Sequence, residues 1–371
     1  MNNSIPKVSV VMSFHNDADY IEEAIQSILK QTFNDFEFII INDCSSDGSA
    51  EIVNQYASKD ERIIVIKNSQ NLGLTKSLNK GIQAAKGKYI ARQDADDVSL
   101  PFRLEKEVSL LESHPEIGLV SCNLYLIDDE GNCIGQHKRK SDPNIISWYL
   151  LFHNHIGGHS QVMYRKQLVG DLGGYDENRR YSQDYELWSR LMLVSKIAVL
   201  PDFLLKRRKH SQSISTSKSF EQRQYSLIQS KNNIEKLIGK DVSVEEAERL
   251  RSFWIGHHHY KSFPEVKYAE AINARLTEIY QAFVQQKNVD SQVAKQLRFL
   301  IGKQFNYWIQ DPLTIEQNLA SKFKLSYYAF QWYWLRIPFS WLMLFANTTL
   351  TSLKAIFPSI YVPKKMVTID K

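Results

Sequence analysis

The chain has 371 residues, of which 43% are hydrophobic and 23% are charged, and its formal net charge is +5. This length and composition are typical of a globular protein with a large core and two domains. The excess of basic residues is too small to indicate a nucleic-acid-binding protein. The three cysteines do not make a disulfide framework, and the N-terminus lacks the apolar stretch of a signal peptide. We therefore expect a cytoplasmic protein.

The first part of the chain alternates between short apolar runs and amphipathic segments. The apolar runs are typical of buried strands, and the amphipathic segments have the periodicity of helices. Strands are predicted at residues 8–12, 36–41, 62–67 and 88–93, and helices at residues 18–30 and 74–85 and in a segment that ends near residue 57. This βαβαβαβ order indicates an α/β protein with a mostly parallel sheet flanked by helices.

Mixed strand and helix signals continue up to residue 217. Further strands are predicted at residues 117–123, 159–165, 196–200 and 203–209, a hairpin at 124–138, and helices at 101–113, 144–152 and 183–194. From residue 219 onward the pattern is helical and charged. The sequence therefore predicts an α/β domain at residues 1–217 and a C-terminal α-helical region at residues 218–371.

Three carboxylates follow the fourth predicted strand, at Asp94, Asp96 and Asp97. In an open α/β sheet, ligands bind at the edge where the parallel strands end. Carboxylates packed this closely repel one another unless a cation neutralises them, and Mg²⁺ or Mn²⁺ is the natural candidate, commonly together with substrate phosphates. The alternative interpretation is a solvated acidic turn, because Asp-x-Asp pairs are common in loops.

Two other enzyme classes fit this arrangement poorly. A dinucleotide-binding Rossmann domain needs a glycine-rich turn after its first strand, and residues 13–17 contain no glycine. A phosphatase that uses an Asp-x-Asp nucleophile carries that motif after the first strand, whereas in this chain it follows the fourth.

Several motifs in fixed order resemble those of family 2 glycosyltransferases, which have the GT-A fold. They are VSVVMSFHN at 8–16, INDCSSDGS at 41–49, NLGL and SLNKG within 71–81, GKYIARQDADD at 87–97, GGYD at 173–176 and QDYELW at 183–188. The resemblance covers about residues 6–217 and is strongest to bacterial enzymes that extend lipooligosaccharide, O-antigen or capsule chains. The chain departs from the family pattern at His15, Asn42 and Gln183, where Tyr, Asp and Glu are usual.

The resemblance assigns the chemical roles to three residues. Asp184 is expected to be the base that takes the proton from the acceptor hydroxyl, although a helix N-cap is the ordinary alternative for an Asp at a helix start. Asp96 is expected to bind Mn²⁺ or Mg²⁺ at the donor diphosphate. His210 is expected to ligate the same metal from the opposite side.

The resemblance also assigns five contacts to the donor nucleotide. Asp94 is expected to act through the ribose or a metal-bound water, and Asp43 is expected to accept the uracil imide N–H. Ser13 and His15 would flank the base and ribose, and Arg208 would contact a phosphate. Ordinary alternatives stay open: His15 as a turn residue, Asp43 as an Asx-turn cap, and the basic run at 206–210 as a solvated strand edge.

These assignments imply a metal-dependent inverting glycosyltransferase, either hexosyl- or N-acetylhexosaminyl-. It would move a sugar from a UDP-sugar to a hydroxyl of a lipid-linked or polysaccharide acceptor in a growing surface glycan. Loops near residues 153–161 and 173–176 would select the sugar. Two alternatives are a non-catalytic nucleotide-sugar-binding subunit that anchors a partner enzyme at the membrane, and a metal-dependent phosphohydrolase of nucleotide diphosphates.

The segment at residues 326–358 is rich in aromatic residues and flanked by Lys and Arg. Its most apolar part is short and contains several Asn, Thr and Ser residues, so it is a poor membrane-spanning helix. This composition suits a membrane interface, which predicts a protein that is peripheral on the inner face of the cytoplasmic membrane. A buried helical pair or a homodimer face is the alternative.

Overall fold

The structure is a computed structural model that describes residues 5–210, 218–255, 263–311 and 319–333. In these residues nine strands form one sheet. The strands are β1 (Val8–Phe14), β2 (Phe36–Asn42), β3 (Ile63–Lys67), β4 (Tyr89–Asp94), β5 (Val98–Ser99), β6 (Ile117–Ile127), β7 (Cys133–His137), β8 (Val162–Arg165) and β9 (Lys196–Arg208). The helices among them are α1 (Ile21–Leu29), α2 (Ser49–Ala57), α3 (Leu74–Ala84), α4 (Arg103–Ser113), α5 (Pro143–Leu150), α6 (Lys166–Asp171) and α7 (Gln183–Val194). The helices that follow are α8 (Ser219–Ile238), α9 (Val244–Ile255), α10 (Ala269–Gln286), α11 (Ser291–Gln310) and α12 (Leu319–Trp332).

The order of the strands is β3-β2-β1-β4-β8-β6-β9-β5, and β7 pairs with the end of β6. The first four strands in this order are mutually parallel, and β6 is parallel to β9. β8 is antiparallel to both of its neighbours, β4 and β6. The structure therefore confirms the predicted α/β fold with a mostly parallel sheet and a C-terminal helical region.

β1, β2 and β4 form the centre of the core. Every residue of β1 and β2 is buried, which explains why these strands are nearly continuous apolar runs rather than alternating ones. α1 adds Ile21, Ala24, Ile25 and Ile28 to the same hydrophobic cluster. This rigid centre fixes the positions of the loops at the carboxyl ends of the strands.

β9 differs from the prediction, because the two strands expected at 196–200 and 203–209 form one strand. Leu200 pairs with Cys122 and Phe203 pairs with Asn123, so Pro201 and the residue after it bulge out of the ladder with β6. Pro201 cannot donate to the ladder, and its carbonyl instead accepts a hydrogen bond from Asn123 Nδ2 over 2.7 Å. The proline that indicated a break between two strands therefore marks a bulge within one strand.

The strand predicted at 159–165 begins later than expected. His159–Gln161 is one turn of 3-10 helix, and β8 starts at Val162. Gln161 explains this local geometry, because its buried amide donates to the carbonyls of Ile156 and Cys122 over 2.7 and 3.0 Å. These side-chain bonds to carbonyls outside the predicted strand accompany the turn that replaces its first residues.

The described residues divide into two compact units, each taken here by itself. The first unit runs to Arg251 and also includes Gln281–Val289, and the second comprises the described residues of 252–280 and of 290–333. Within the first unit, α8 is attached by Asn233, whose Nδ2 donates to the Leu150 carbonyl over 2.8 Å and to Ser189 Oγ over 2.9 Å. The boundary predicted after residue 217 lies outside the described residues.

The second unit has an aromatic core. The ring of Phe253 lies with its centroid 4.8 Å from that of Phe305 and 5.9 Å from that of Trp308. Trp332, near the start of the predicted aromatic tail, is buried, and its Nε1 donates to Asn273 Oδ1 over 2.7 Å. Residues 334–358 of that tail lie outside the described residues. None of the helices in the described part of the chain is long and apolar enough to cross a bilayer.

Substituting Gly87→Ala tests the close packing beside β1. A Cβ at Gly87 would lie 2.5 Å from the Ser9 backbone nitrogen and 2.7 Å from the Val8 carbonyl carbon, and backbone atoms cannot move aside cheaply. We expect a loss of about 2 kcal/mol in the free energy of unfolding, measured by urea denaturation. Gly170→Ala is the control, because its Cβ would meet no atom within 4 Å. Equal stability of the two variants would contradict this packing.

Candidate active site

Strand register brings three of the predicted site residues to one edge of the sheet. Ser13, on β1, pairs with Asp94, the last residue of β4. Phe14 pairs with Asn42 at the end of β2, and Asp43 follows directly. The carboxyl ends of β1, β2 and β4 therefore meet where open α/β sheets bind ligands.

Asp94 is held by a buried arginine beneath it. Arg92 is fully buried, and its Nη2 donates to Asp94 Oδ1 over 2.8 Å. The backbone N–H of Asp94 donates to Ser160 Oγ over 2.8 Å. A buried guanidinium needs a compensating charge. One oxygen of the Asp94 carboxylate is thus committed to Arg92, and the position of the side chain is fixed.

Asp96 and His210 are brought into direct contact. His210 Nε2 lies 3.0 Å from Asp96 Oδ2, although the two residues are 114 positions apart in the chain. The hydrogen bond to Asp96 raises the pKa of His210, while burial opposes that shift. The two residues that the family resemblance assigned to one metal ion are therefore in contact in the structure.

Asp96 and His210 fit a cation whose remaining ligands come from a bound substrate. Among the described residues there is no cluster of three or more His, Cys, Asp or Glu side chains that could enclose a metal ion. Mg²⁺ is usually held by one or two carboxylates, with waters and substrate phosphates completing its coordination. Asp96 and His210 suit that kind of site rather than a closed protein cage.

Two further carboxyl groups near Asp96 are disfavoured in their charged form. Burial and the charges of Asp96, Asp47 and Asp94 raise the pKa of Asp17 to about 6, although a hydrogen bond from the His15 backbone N–H lowers it. Burial and the charges of Asp96 and Asp94 raise the pKa of Asp97 well above its usual range. A cation bound here would relieve this repulsion.

Asp43 is buried and held by the loop between β3 and α3. Its Oδ1 accepts hydrogen bonds from Asn68 Nδ2 and the Leu72 N–H, and its Oδ2 accepts one from the Gly73 N–H, each over 2.8 Å. A carboxylate has about four acceptor positions, so one is left for a further donor. His15 lies beside it, with Nδ1 2.9 Å from the Asp43 carbonyl oxygen.

Arg208 is buried, and its guanidinium already has several partners. Nε donates to the carbonyl of Asp96 over 3.1 Å, and Nη1 donates to the carbonyls of Asp128 and Asp129 over 2.9 Å. Nη2 donates to Glu23 Oε2 over 2.5 Å. These bonds use four of the five N–H groups of the guanidinium. A phosphate contact, which stays a prediction, would have to use the fifth.

Asp184 is the second residue of α7, and Ser182, not Asp184, occupies the N-cap. Ser182 has a left-handed backbone with φ of 54°, and its Oγ lies 2.8 Å from Ser226 Oγ on α8, which helps to hold that turn. Asp184 Oδ2 accepts a hydrogen bond from Asn154 Nδ2 over 2.8 Å, and Oδ1 accepts one from the Tyr185 N–H. The carboxylate is therefore oriented from two sides.

His159 is buried, and both Asp184 and Asp94 lie near enough to act on its charge. Its Nε2 is shielded from solvent and has no hydrogen-bond partner in the described part of the protein. Burial lowers the pKa of His159, although the charges of Asp184 and Asp94 act in the opposite direction. A neutral imidazole with an open ring nitrogen can donate a hydrogen bond to a bound ligand or accept one from it.

Comparison with known proteins decides the family. The model of the family described as glycosyl transferase family 2 matches residues 9–173. An uncharacterised glycosyltransferase of Methanocaldococcus jannaschii is 42% identical over 207 residues, which are 55% of this chain and 71% of that protein. The chain belongs to glycosyl transferase family 2.

Other comparisons agree with this family 2 assignment. The amylovoran biosynthesis glycosyltransferase AmsE of Erwinia amylovora is 32% identical over 212 residues, 56% of this chain and 77% of that protein. The crystal structure of S. aureus TarS 1–349 in complex with UDP-GlcNAc has a TM-score of 0.53 at 18% identity and covers 81% of this chain and 89% of that one. The TarS comparison shows a shared fold, which confirms the predicted GT-A architecture.

Sequence reasoning about this glycosyltransferase missed Asp17, Asn154 and Ser160 as parts of the site. Asp17 lies in the turn after β1, and no pattern in that turn indicates that its side chain is buried near Asp96. Asn154 and Ser160 lie in the 153–161 loop, which was expected to select the sugar but not to hold Asp184 and Asp94. Both contacts depend on loop conformation, which a motif does not encode.

Asp17→Asn tests the excess negative charge at the site. The folded protein keeps a proton on Asp17 up to a pKa of about 6, whereas an unfolded Asp releases it near 3.8. The free energy of unfolding of the wild type should therefore decrease as the pH rises through this window. The variant lacks this loss and should gain about 2 kcal/mol relative to the wild type by neutral pH.

Urea denaturation without divalent ions across this pH range measures the difference. Asp19→Asn is the matched control, because Asp19 is an exposed neighbour. Its free energy of unfolding should change with pH in the same way as that of the wild type. The raised pKa of Asp17 would be contradicted if the difference in free energy of unfolding between the wild type and Asp17→Asn did not change with pH.

Proposed function

We propose that this family 2 glycosyltransferase is a metal-dependent inverting enzyme that transfers a sugar from a UDP-sugar to a hydroxyl of a growing surface glycan. One observation carries the proposal: Asp96 Oδ2 and His210 Nε2 lie 3.0 Å apart, among carboxylates whose repulsion favours a cation. Asp184, held separately by Asn154, is available for proton transfer. One group for the leaving diphosphate and one base are what a single displacement requires.

Asp96 and His210 would hold the metal ion. Bound Mn²⁺ or Mg²⁺ would supply Lewis-acid stabilisation of the departing diphosphate. The protein contributes a fixed carboxylate and imidazole, and Arg208, whose Nε donates to the Asp96 carbonyl, holds the backbone of this turn. Asp97 accepts the Arg208 backbone N–H over 2.9 Å and ties β9 to the same turn.

Asp184 would accept the proton of the acceptor hydroxyl. Each of its two oxygens accepts one hydrogen bond from the protein, from Asn154 and from the Tyr185 N–H. Each oxygen therefore keeps acceptor capacity for the substrate. Asn154 fixes the carboxylate without supplying a competing charge, so it acts as a positioning residue.

The donor and acceptor classes rest on the site residues and on relatives. Asp43, with one acceptor position left, suits the imide N–H of uracil. His15 lies beside it, and Ser13 pairs with Asp94 at the same edge of the sheet. TarS, which shares the fold, was solved in complex with UDP and with UDP-GlcNAc, which supports a UDP-sugar. The amylovoran and teichuronic acid biosynthesis glycosyltransferases among the relatives support a polysaccharide or lipid-linked acceptor. Peripheral association with the inner membrane and homodimerisation stay predictions.

Calorimetry of UDP binding tests the donor site. UDP should bind the wild type, and Mn²⁺ should strengthen binding by about tenfold or more, because Asp96 and His210 would hold a metal ion that offsets the charge of the diphosphate. Asp96→Ala should bind UDP no more tightly with Mn²⁺ than without it. Asp202→Ala is a control that removes a carboxylate from the distant bulge of β9 and should behave as the wild type. Absence of UDP binding in the wild type would refute the proposed donor.

Asp184→Asn tests the catalytic base. We expect kcat to decrease by about 10²- to 10⁴-fold, with UDP affinity unchanged, because the amide cannot take the acceptor proton. The assay is UDP release from a panel of UDP-sugars, with and without glycan acceptors, and Asp171→Asn on the exposed end of α6 is the control.

The same reactions, analysed for sugar phosphate and phosphate as well as for UDP, separate the alternative functions. Turnover that survives Asp184→Asn would refute the base assignment. Wild-type binding of UDP with no turnover of any donor would favour the non-catalytic subunit. Release of sugar phosphate or phosphate without an acceptor would favour the phosphohydrolase.

A further inference from the structure

Two neighbouring arginines outside the predicted site have no acidic partner in the part of the chain that the structure describes. Arg139 follows β7, and Arg207 lies near the end of β9. In the described residues neither guanidinium forms an ion pair with a carboxylate. The Nε of Arg139 is shielded from solvent and has no hydrogen-bond partner. Burial and the charge of Arg207 lower the pKa of Arg139 to about 10. Two half-buried guanidinium groups that repel each other leave a position suited to an anion.

The neighbouring Lys140 and His155 do not neutralise the positive charge of the two arginines. The Lys140 backbone N–H donates to His155 Nε2 over 3.3 Å, which makes that nitrogen an acceptor. Burial and the charges of Arg139 and Lys140 lower the pKa of His155 to about 3. The imidazole is therefore neutral. The cationic character of this position is built into the fold and does not depend on pH in the physiological range.

The arginines lie against two glycines of the loop that holds Asp184. A Cβ at Gly157 would lie 2.9 Å from Arg139 Nη2, and a Cβ at Gly158 would lie 3.9 Å from Arg207 Nη1. Gly157 has φ of 99°, which other residues rarely adopt. Its carbonyl accepts a hydrogen bond from Asn154 Nδ2, the same group that donates to Asp184. The arginine pair and Asp184 thus share one loop.

The pair lies on the other side of β9 from the candidate metal site. Successive side chains of a strand point to opposite faces. Arg208 reaches the Asp96 carbonyl, whereas Arg207 reaches Gly158. A group held by Arg139 and Arg207 would therefore be displaced from Asp96 and His210 and lie against the loop whose Asn154 holds Asp184.

We propose that Arg139 and Arg207 form a subsite for an oxyanion, the phosphate or carboxylate group of an anionic acceptor glycan. The proposal rests on the proposed transferase function and names the acceptor class. Two guanidinium groups can hold such a group by paired, charge-assisted hydrogen bonds. The bound anion would set the acceptor so that one of its hydroxyls faces Asp184.

Calorimetric titration with inorganic phosphate tests the subsite, with the donor site saturated by UDP and Mg²⁺. The wild type should bind phosphate, and Arg139→Gln and Arg207→Gln should each weaken that binding by about tenfold or more. Lys59→Gln removes the same charge from an exposed position after α2 and should leave phosphate affinity within about twofold. Methyl glucuronide in place of phosphate distinguishes a carboxylate-bearing acceptor from a phosphate-bearing one.

Three outcomes would overturn the proposal: no phosphate or glucuronide binding by the wild type, equal weakening by Lys59→Gln, or loss of UDP affinity in the arginine variants. The last would assign the pair to the donor diphosphate. Arg139→Lys and Arg207→Lys keep the charge and guard against a folding defect, since they should bind phosphate more tightly than the Gln variants. If the wild type does not bind UDP, the proposed donor fails, and the titration without nucleotide still tests the arginine pair.

Discussion

The organisation of this glycosyltransferase depends on the repulsion among carboxylates at one edge of the sheet. Asp17, Asp94, Asp96 and Asp97 lie near one another. Burial first, and then the charges of the neighbouring carboxylates, raise the pKa of Asp17 and of Asp97. The fold offsets part of this charge with cations. Arg92 binds Asp94, and His210 contacts Asp96. Arg208 donates to the Asp96 carbonyl and so holds the backbone of this turn. The compensation is incomplete, so a divalent cation would bind with a gain in electrostatic free energy.

β9 connects the two halves of the site. Its last residues carry Arg208 toward the carboxylates and Arg207 toward the loop at Gly158. That loop also carries Asn154, which orients Asp184, and Ser160, which accepts the N–H of Asp94. One loop and one strand therefore fix the distance between the group that would bind the leaving diphosphate and the group that would accept a proton. Fixed separation of such groups is how a site achieves productive orientation.

Local pattern was sufficient for most elements, and it failed where tertiary contacts override it. The strands β1, β2, β3 and β4 were predicted because buried parallel strands are continuous apolar runs. The pattern predicts two strands where β9 is one, because proline usually ends a strand. The ladder with β6 instead continues past Pro201, which lies in a bulge. The predicted strand at 159–165 lost its first residues to a 3-10 turn, because Gln161 bonds carbonyls that no sequence window of that strand contains.

The sequence by itself determined the family, the α/β fold and the set of polar residues that end the parallel strands, because short motifs and the alternation of apolar runs with amphipathic segments are local features of the chain. Ser13, Asp43 and Asp94 could thus be placed at one edge. Only the tertiary structure decided the contact of Asp96 with His210, the hold of Asn154 on Asp184, the raised pKa of Asp17 and the pairing of Arg139 with Arg207. Each of these joins distant segments or depends on burial, and both are set by loop conformation and packing rather than by motif.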